Sequence, residues 1–226
     1  MKNPLAILLA LAVFGSTPAL VSSQALAAPP DVTTLRPVNY DFVAWSTDSA
    51  YVLFKLQDPN IPGLIFQVRV AETGEILKMG SKNAVFPSQS APGSDEEKKF
   101  VKQILTGTKV KVNGEPVKFD QAGVADSTHP TKSDIMLLTG QKGDKFVIMG
   151  VRGERSSRYD TFDLLKDKAG TFAKAYQKAL VWDNDGKNFL LIYHQNLDSK
   201  DTPFEGDFFS IQKFKSSKVK STSTEE

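Results

Sequence analysis

Two stretches near opposite ends of the chain share one ground plan, and that duplication constrains the fold more than any other feature. The first runs Trp45, Ser46, Thr47, Asp48, Ser49 into the apolar run Tyr51, Val52, Leu53, Phe54. The second runs Trp182, Asp183, Asn184, Asp185, Gly186 and, past Lys187 and Asn188, into Phe189, Leu190, Leu191. Each ends an apolar run on an aromatic, reverses through small and acidic residues, and resumes as a strand. Each then passes a polar loop, 58–63 or 198–207, into a further run around Phe66 or Phe209. Tryptophan-headed ribbons of one design are expected to fold alike and frame the interior. The fold class is therefore mainly β: antiparallel meanders in a propeller-like or open sandwich-like sheet, with one short α-helix near 95–105.

Residues 1–27 read as a secretory signal peptide. Lys2 supplies the positive start, residues 5–14 the apolar core, and Ala25, Leu26 and Ala27 a small-residue cleavage site. That core is too short to cross a bilayer, which takes about 20 apolar residues, so the mature chain is expected to carry no transmembrane segment. An extended lead-in follows over 28–37, then a single β-rich domain over 38–214, then a disordered tail over 215–226 without apolar periodicity. With no cysteine, an exported chain must be held by its core and backbone ladders rather than by disulfides. Thiol catalysis and Cys-ligated zinc are excluded with it. The balance of 28 Lys and Arg against 26 Asp and Glu sets up no field for nucleic acid or anionic lipid. The 15 Phe and 40% hydrophobic content supply a core.

Between the twin units, Phe66, Val68 and Val70 alternate with Gln67 and Arg69, and a turn at 72–75 precedes Ile76 and Leu77. This predicts a three- or four-stranded meander. Ser94 with Glu97 makes a capping box, and Phe100, Val101, Ile104 and Leu105 share one helical face before Gly107. Asn113 and Gly114 suit a two-residue hairpin that pairs Val110 with Val117. Residues 121–133 read as a polar loop. The apolar runs 135–138 and 146–151 read as an antiparallel pair buried on both faces at the centre of the sheet. Residues 158–165 form another strand, and 172–179 lean to strand because they run straight into Leu180, Val181 and Trp182.

The units at 42–56 and 179–193 resemble the "apolar-aromatic, Ser/Asp-x-Asp-Gly, apolar strand" element of TolB-like and WD-repeat-like β-propeller blades. The segment Pro203, Phe204, Glu205, Gly206, Asp207, Phe208, Phe209 is similar to the close of a family of predicted secreted bacterial proteins of unknown function. Ser49 stands where the blade element prefers Gly, two units are recognisable, and the helix interrupts any blade period. A closed ring takes at least four blades of about 40 residues, so an open sheet is expected.

Four groups of residues invite a chemical reading. The Asp183, Asn184, Asp185, Gly186 stretch looks like the front of a calcium loop but lacks its distant Glu; a tight turn explains the same letters. Arg152, Arg155 and Arg158, with Ser156 and Ser157, are a candidate anion or partner contact. His129 beside Asp126 and Ser127, and His194, sit in no known catalytic pattern. There is no G-x-S-x-G, H-E-x-x-H or P-loop motif, and no cofactor, metal site or catalytic residue is assigned. Asp198, Asp201, Glu205 and Asp207 gather around the second long loop, where paired carboxylates serve glycoside chemistry if held about 5 to 9 Å apart. Phe204 either anchors that loop or presents an aromatic to a partner.

The leading expectation is a non-enzymatic exported module of a Gram-negative-type envelope, periplasmic or secreted. It would offer Asp58 and its loop, and Asp201, Phe204 and Glu205, to an envelope protein or glycan. The alternative is a small periplasmic hydrolase or carbohydrate-binding module using the acidic loop 198–207. A cleft gathering Asp201, Glu205 and a His or Arg favours the second; loops splayed over a convex surface favour the first.

Overall fold

The structure, a computed structural model, describes residues 35–60, 64–79, 82–83, 85–88 and 93–219. The expected signal peptide, the lead-in before Leu35, loop residues 61–63 and tail residues 220–226 lie outside the described residues. In chain order, β1 (Asn39–Trp45), β2 (Tyr51–Gln57) and β3 (Leu64–Val70) form an antiparallel meander. A small ribbon of β4 (Lys78–Met79) and β5 (Lys82–Asn83) follows, and β6 (Val85–Ser88) returns to pair with β3, completing an N-terminal sheet. Next come α1 (Asp95–Leu105) and the hairpin of β7 (Lys111–Val112) and β8 (Glu115–Pro116). The middle sheet is β9 (Thr128–His129), β10 (Lys132–Lys142), β11 (Lys145–Arg152) and β12 (Arg155–Asp163). The C-terminal sheet is β13 (Lys174–Trp182), β14 (Asn188–Leu197) and β15 (Phe204–Lys213).

These sheets stack face to face, in an order that differs from their order in sequence. One face of the N-terminal sheet, with Leu53, Phe66 and Val68, meets Ile104 of α1 together with Val110 and Phe119. Its other face, with Val52, Phe54 and Ile65, meets Leu190 and Ile192 of the C-terminal sheet. The far side of that sheet, Phe189, Leu191 and Tyr193, meets Ile135, Leu137, Phe146 and Ile148 of the middle sheet. The C-terminal sheet is thus the central layer, which is why β14 is buried almost end to end on both faces. Trp45 lies in the first of these inter-sheet interfaces and Trp182 in the second. The two units are therefore carried by stacked sheets, and the arrangement is open.

The twin units share a backbone conformation. Trp45 and Trp182 each end a strand and are fully buried. The fourth residue after each tryptophan takes a left-handed conformation, Ser49 at φ 59° and Gly186 at φ 69°. Its N–H donates to the carbonyl of the first, Ser49 to Ser46 at 2.9 Å and Gly186 to Asp183 at 3.0 Å. The side chain of that first residue accepts from the amide that opens the next strand: Ser46 Oγ from Tyr51 at 2.9 Å, and Asp183 Oδ2 from Asn188 at 3.1 Å. The shared turn follows from one requirement, an acceptor just past the tryptophan that satisfies the reversing backbone.

Residues 121–133, expected as a polar loop, instead hold the two units together. Gln121 bridges Trp45 and Val124 bridges Trp182 through paired backbone hydrogen bonds. The Gln121 amide donates to Ser46 O at 2.9 Å and to Thr47 O, while its oxygen accepts from Asn184 N at 3.2 Å. Gly123, at φ 69°, packs so close that an added Cβ would lie 2.6 Å from the Trp182 carbonyl oxygen.

Helix α1 starts and stops where expected. Ser94 caps it by accepting from Glu97 N at 3.2 Å, but the Glu97 carboxylate reaches back to Gly93 N and pairs with Lys55 at 3.4 Å. Asn113 and Gly114 both have positive φ, and Val117 N donates to Val110 O at 2.9 Å. Two expectations need correction. The β10–β11 pair is buried on one face; on the other Val147 is buried, but Met136, Leu138, Met149 and Val151 are partly open, Leu138 at 45%. The start of the expected disordered tail is ordered, with a 3₁₀ turn at Ser216–Lys218 and Val219 buried against Gly150. Gly150 has no side chain, and the valine fills the space it leaves.

Candidate functional site

Because β1–β2 and β13–β14 reverse at their tryptophan turns, residues 58–60 after β2 and the loop after β14 lie toward the opposite end of the molecule. The ordered part of the lead-in runs between them. Asp207 N donates to Val38 O at 2.9 Å, and Arg36 pairs with Asp58 at 3.6 Å. Where the lead-in meets the second loop there is an open cleft of about 560 Å³. Leu35, Pro37, Leu197 and Phe204 give its lining apolar surface, and Asp198, Asp201 and Glu205 give it carboxylates.

Beside the cleft lies a buried polar network centred on Asp207. Antiparallel register sets Tyr176 of β13, His194 of β14 and Asp207 of β15 in one row across the sheet, and alternation puts them on the face that meets the N-terminal sheet. The Asp207 side chain is 1% exposed and would be costly to bury unpaired. Its Oδ2 accepts from Lys178 Nζ at 2.7 Å and Tyr40 N at 2.9 Å. Its Oδ1 lies 2.8 Å from His194 Nδ1. A carboxylate only accepts, so the imidazole donates from Nδ1 and turns Nε2 toward Glu205, 3.5 Å away. Lys178 stands at the β-bulge of β13, which aims it across to Asp41 at 3.2 Å and the Tyr40 carbonyl at 2.9 Å. Burial works against the Lys178 ammonium, but its bonds to Asp207 and Asp41 outweigh this and hold its pKa above the ordinary lysine value. One aspartate thereby ties together β1, β13, β14 and the lead-in.

The residues singled out from sequence are placed as follows. Asp201 and Glu205 both line the cleft. Phe204 is 7% exposed and packs with Leu165, Ala173 and Leu197, so it anchors the loop from below. Asp58 is buried, accepting from Asn60 N at 2.9 Å and pairing with Arg36. Arg152 and Arg155 face each other across the β11–β12 turn, and the Arg152 guanidinium lies 3.1 Å from Asp134. Arg158 stands opposite Met149 on the outer face of the middle sheet, whereas the Ser157 hydroxyl bonds Lys218 O on the inner side. Strand alternation therefore divides the arginine and serine groups rather than gathering them.

Asp126 accepts from Thr128 N at 2.9 Å. His129 packs against Trp182 and Phe214, with ring centroids 4.8 and 4.7 Å away, over the Gly186 turn. Burial, with Lys132 nearby, lowers its pKa below the usual histidine value. The Asp183 carboxylate is occupied by Lys187 N, Asn188 N and the Asn188 amide, and Asp185 pairs with Lys187. Among the described residues no helix is long and apolar enough to cross a membrane. Lys178, Tyr176 and Gln121 were not legible as site residues. A bulge and a cross-sheet row leave no mark in a sequence pattern, although extending the β14–β15 register would have placed His194 opposite Asp207.

No known protein family, curated protein or solved structure matches this chain, so the class supported here is that of its own geometry: an open stack of antiparallel sheets with an acidic cleft at one end.

Proposed function

We propose that this protein is an exported, non-enzymatic binding module of the cell envelope, periplasmic or secreted, whose ligand end is the cleft between the lead-in and residues 198–205. The cleft itself carries the reading: apolar Leu35, Pro37 and Phe204 and acidic Asp198, Asp201 and Glu205 line one depression of about 560 Å³. A concave site that combines apolar walls with a few polar groups is the usual form of a binding site. An envelope protein or glycan is the ligand class. The test is capture from envelope extract with the mature chain and with a double variant, Asp201→Lys and Glu205→Lys. One species retained by the former and lost by the latter supports the proposal. Capture of nothing, together with turnover of a model substrate, overturns it.

A second reading, a small hydrolase or carbohydrate-binding module using the acidic loop 198–207, is supported by the gathering expected of it: Asp201 and Glu205 share one cleft, with His194 Nε2 3.5 Å from Glu205. Asp207 orients His194 so that Nε2 faces Glu205 beside the cleft, which is the base-and-orienter half of a hydrolytic arrangement. Hydrolysis of an ester or glycoside panel that His194→Ala abolishes would support it.

A further inference from the structure

We propose that the face of the C-terminal sheet next to the cleft is a saccharide-binding platform centred on Tyr176. This deepens the binding-module reading and rests on it. Tyr176 is 58% exposed, the most exposed large aromatic among the described residues, on a strand where a buried ring would be stable. It lies over His194, with ring centroids 5.0 Å apart and planes at 35°. His194 is held by buried Asp207, so the tyrosine rests on a rigid base. The exposed ring is therefore set in orientation before any ligand arrives, which reduces the ordering cost of binding.

The next row on the same face, one pleat away at about 7 Å, is Lys174, Asn196 and Glu205, paired across β13, β14 and β15. All three are exposed. Together they offer an ammonium donor, an amide that both donates and accepts, and a carboxylate acceptor.

This combination selects among ligand classes. An anion would meet Glu205 and the Asp198 and Asp201 carboxylates of the adjoining cleft. A cationic segment would meet the Lys174 ammonium. A polyhydroxylated ring incurs neither repulsion: its hydroxyls donate and accept in equal measure, matching a mixed row, and its C–H face lies on the tyrosine. The spacing between the tyrosine row and the polar row suits one sugar ring, and the continuation into the cleft leaves room for the next.

The mature protein would be titrated with chitohexaose, cellohexaose and maltohexaose by calorimetry, alongside Tyr176→Ala and Tyr176→Phe. Tryptophan fluorescence would confirm that each variant folds. At least one of these oligosaccharides should bind the wild type. Tyr176→Ala should weaken that binding by about tenfold or more, as loss of a central aromatic contact does, while Tyr176→Phe, which keeps the ring, should stay within a few fold. Failure of the wild type to bind any of the three, or equal binding by Tyr176→Ala, overturns it. The Asp201→Lys and Glu205→Lys variant separates the two proposals: retention of an envelope partner that this variant loses, with no oligosaccharide bound, removes the saccharide platform and leaves the binding module standing.

Discussion

The two tryptophan turns have the same backbone but are secured differently. Trp182 donates its indole N–H to Asp126 O at 3.0 Å, whereas the Trp45 indole nitrogen is buried without a partner. The left-handed position is Ser49 in one turn and Gly186 in the other. Ser49 is buried, and its hydroxyl lies 3.4 Å from the Gln121 amide. Over Gly186 lies the His129 ring, so close that a Cβ there would fall 2.3 Å from a ring carbon. Gly186 thus answers two demands, backbone and space. The lesson is that a repeated motif conserves the turn's hydrogen bonds, while each copy's neighbours decide which residues the turn tolerates.

The largest effect should come from making the second turn like the first. Gly186→Ser adds the left-handed penalty and a collision with His129, for a cost of about 2 to 4 kcal/mol in urea unfolding followed by tryptophan fluorescence. Adding His129→Ala should restore the steric part. The reverse exchange, Ser49→Gly, should leave stability unchanged or raise it by up to about 1 kcal/mol. A large loss there would show that the two turns are not equivalent.

Gln121→Ala removes the clasp that both turns share, and should cost about 2 kcal/mol by the same assay, since several hydrogen bonds go at once. An effect confined to one tryptophan's emission would show that the turns are not coupled. Replacing each tryptophan by Phe isolates the indole N–H. Both variants lose volume, but only Trp182→Phe loses a hydrogen bond, so it should be the more destabilising by about 1 kcal/mol.

The smallest effect is a pH dependence peculiar to the second turn. Burial lowers the His129 pKa in the folded protein, so as the pH falls through about 6.5 the unfolded chain takes up the proton first. The contribution from neutral His129 is complete above that pH and declines below it. The urea midpoint should therefore drop between about pH 7.5 and about pH 5.5 in the wild type, and less so in His129→Gln. An equal drop in both would assign the dependence to other groups.

Much of this fold could be read from residue order because its determinants are local. The Ser94 cap, the Asn113 and Gly114 turn and the alternation through Phe66, Val68 and Val70 each depend on neighbours a few positions away. Residues 121–133 could not be read in that way. Gln121 and Val124 look like ordinary loop residues, yet each completes a strand whose edge lies far off in sequence. The open face of β10 was misread for a related reason: Met136, Leu138, Met149 and Val151 are as apolar as buried residues, and only the stacking order leaves them outside. In the candidate site, Asp201 and Glu205 stood out by composition. Tyr176 and Lys178 did not, because a cross-sheet row and a bulge place them.

By itself the sequence determined most of the strands, the helix, the Asn113–Gly114 hairpin and the likeness of the two tryptophan turns, since short-range hydrogen bonding and alternation settle these within a few residues. Only the tertiary structure decided that the last sheet is the central layer, that one strap joins both tryptophans, and that a buried aspartate orients a histidine beside an exposed tyrosine. Those outcomes depend on which apolar faces find each other and on where a buried charge finds its partners. Both are settled by packing between segments far apart in the chain.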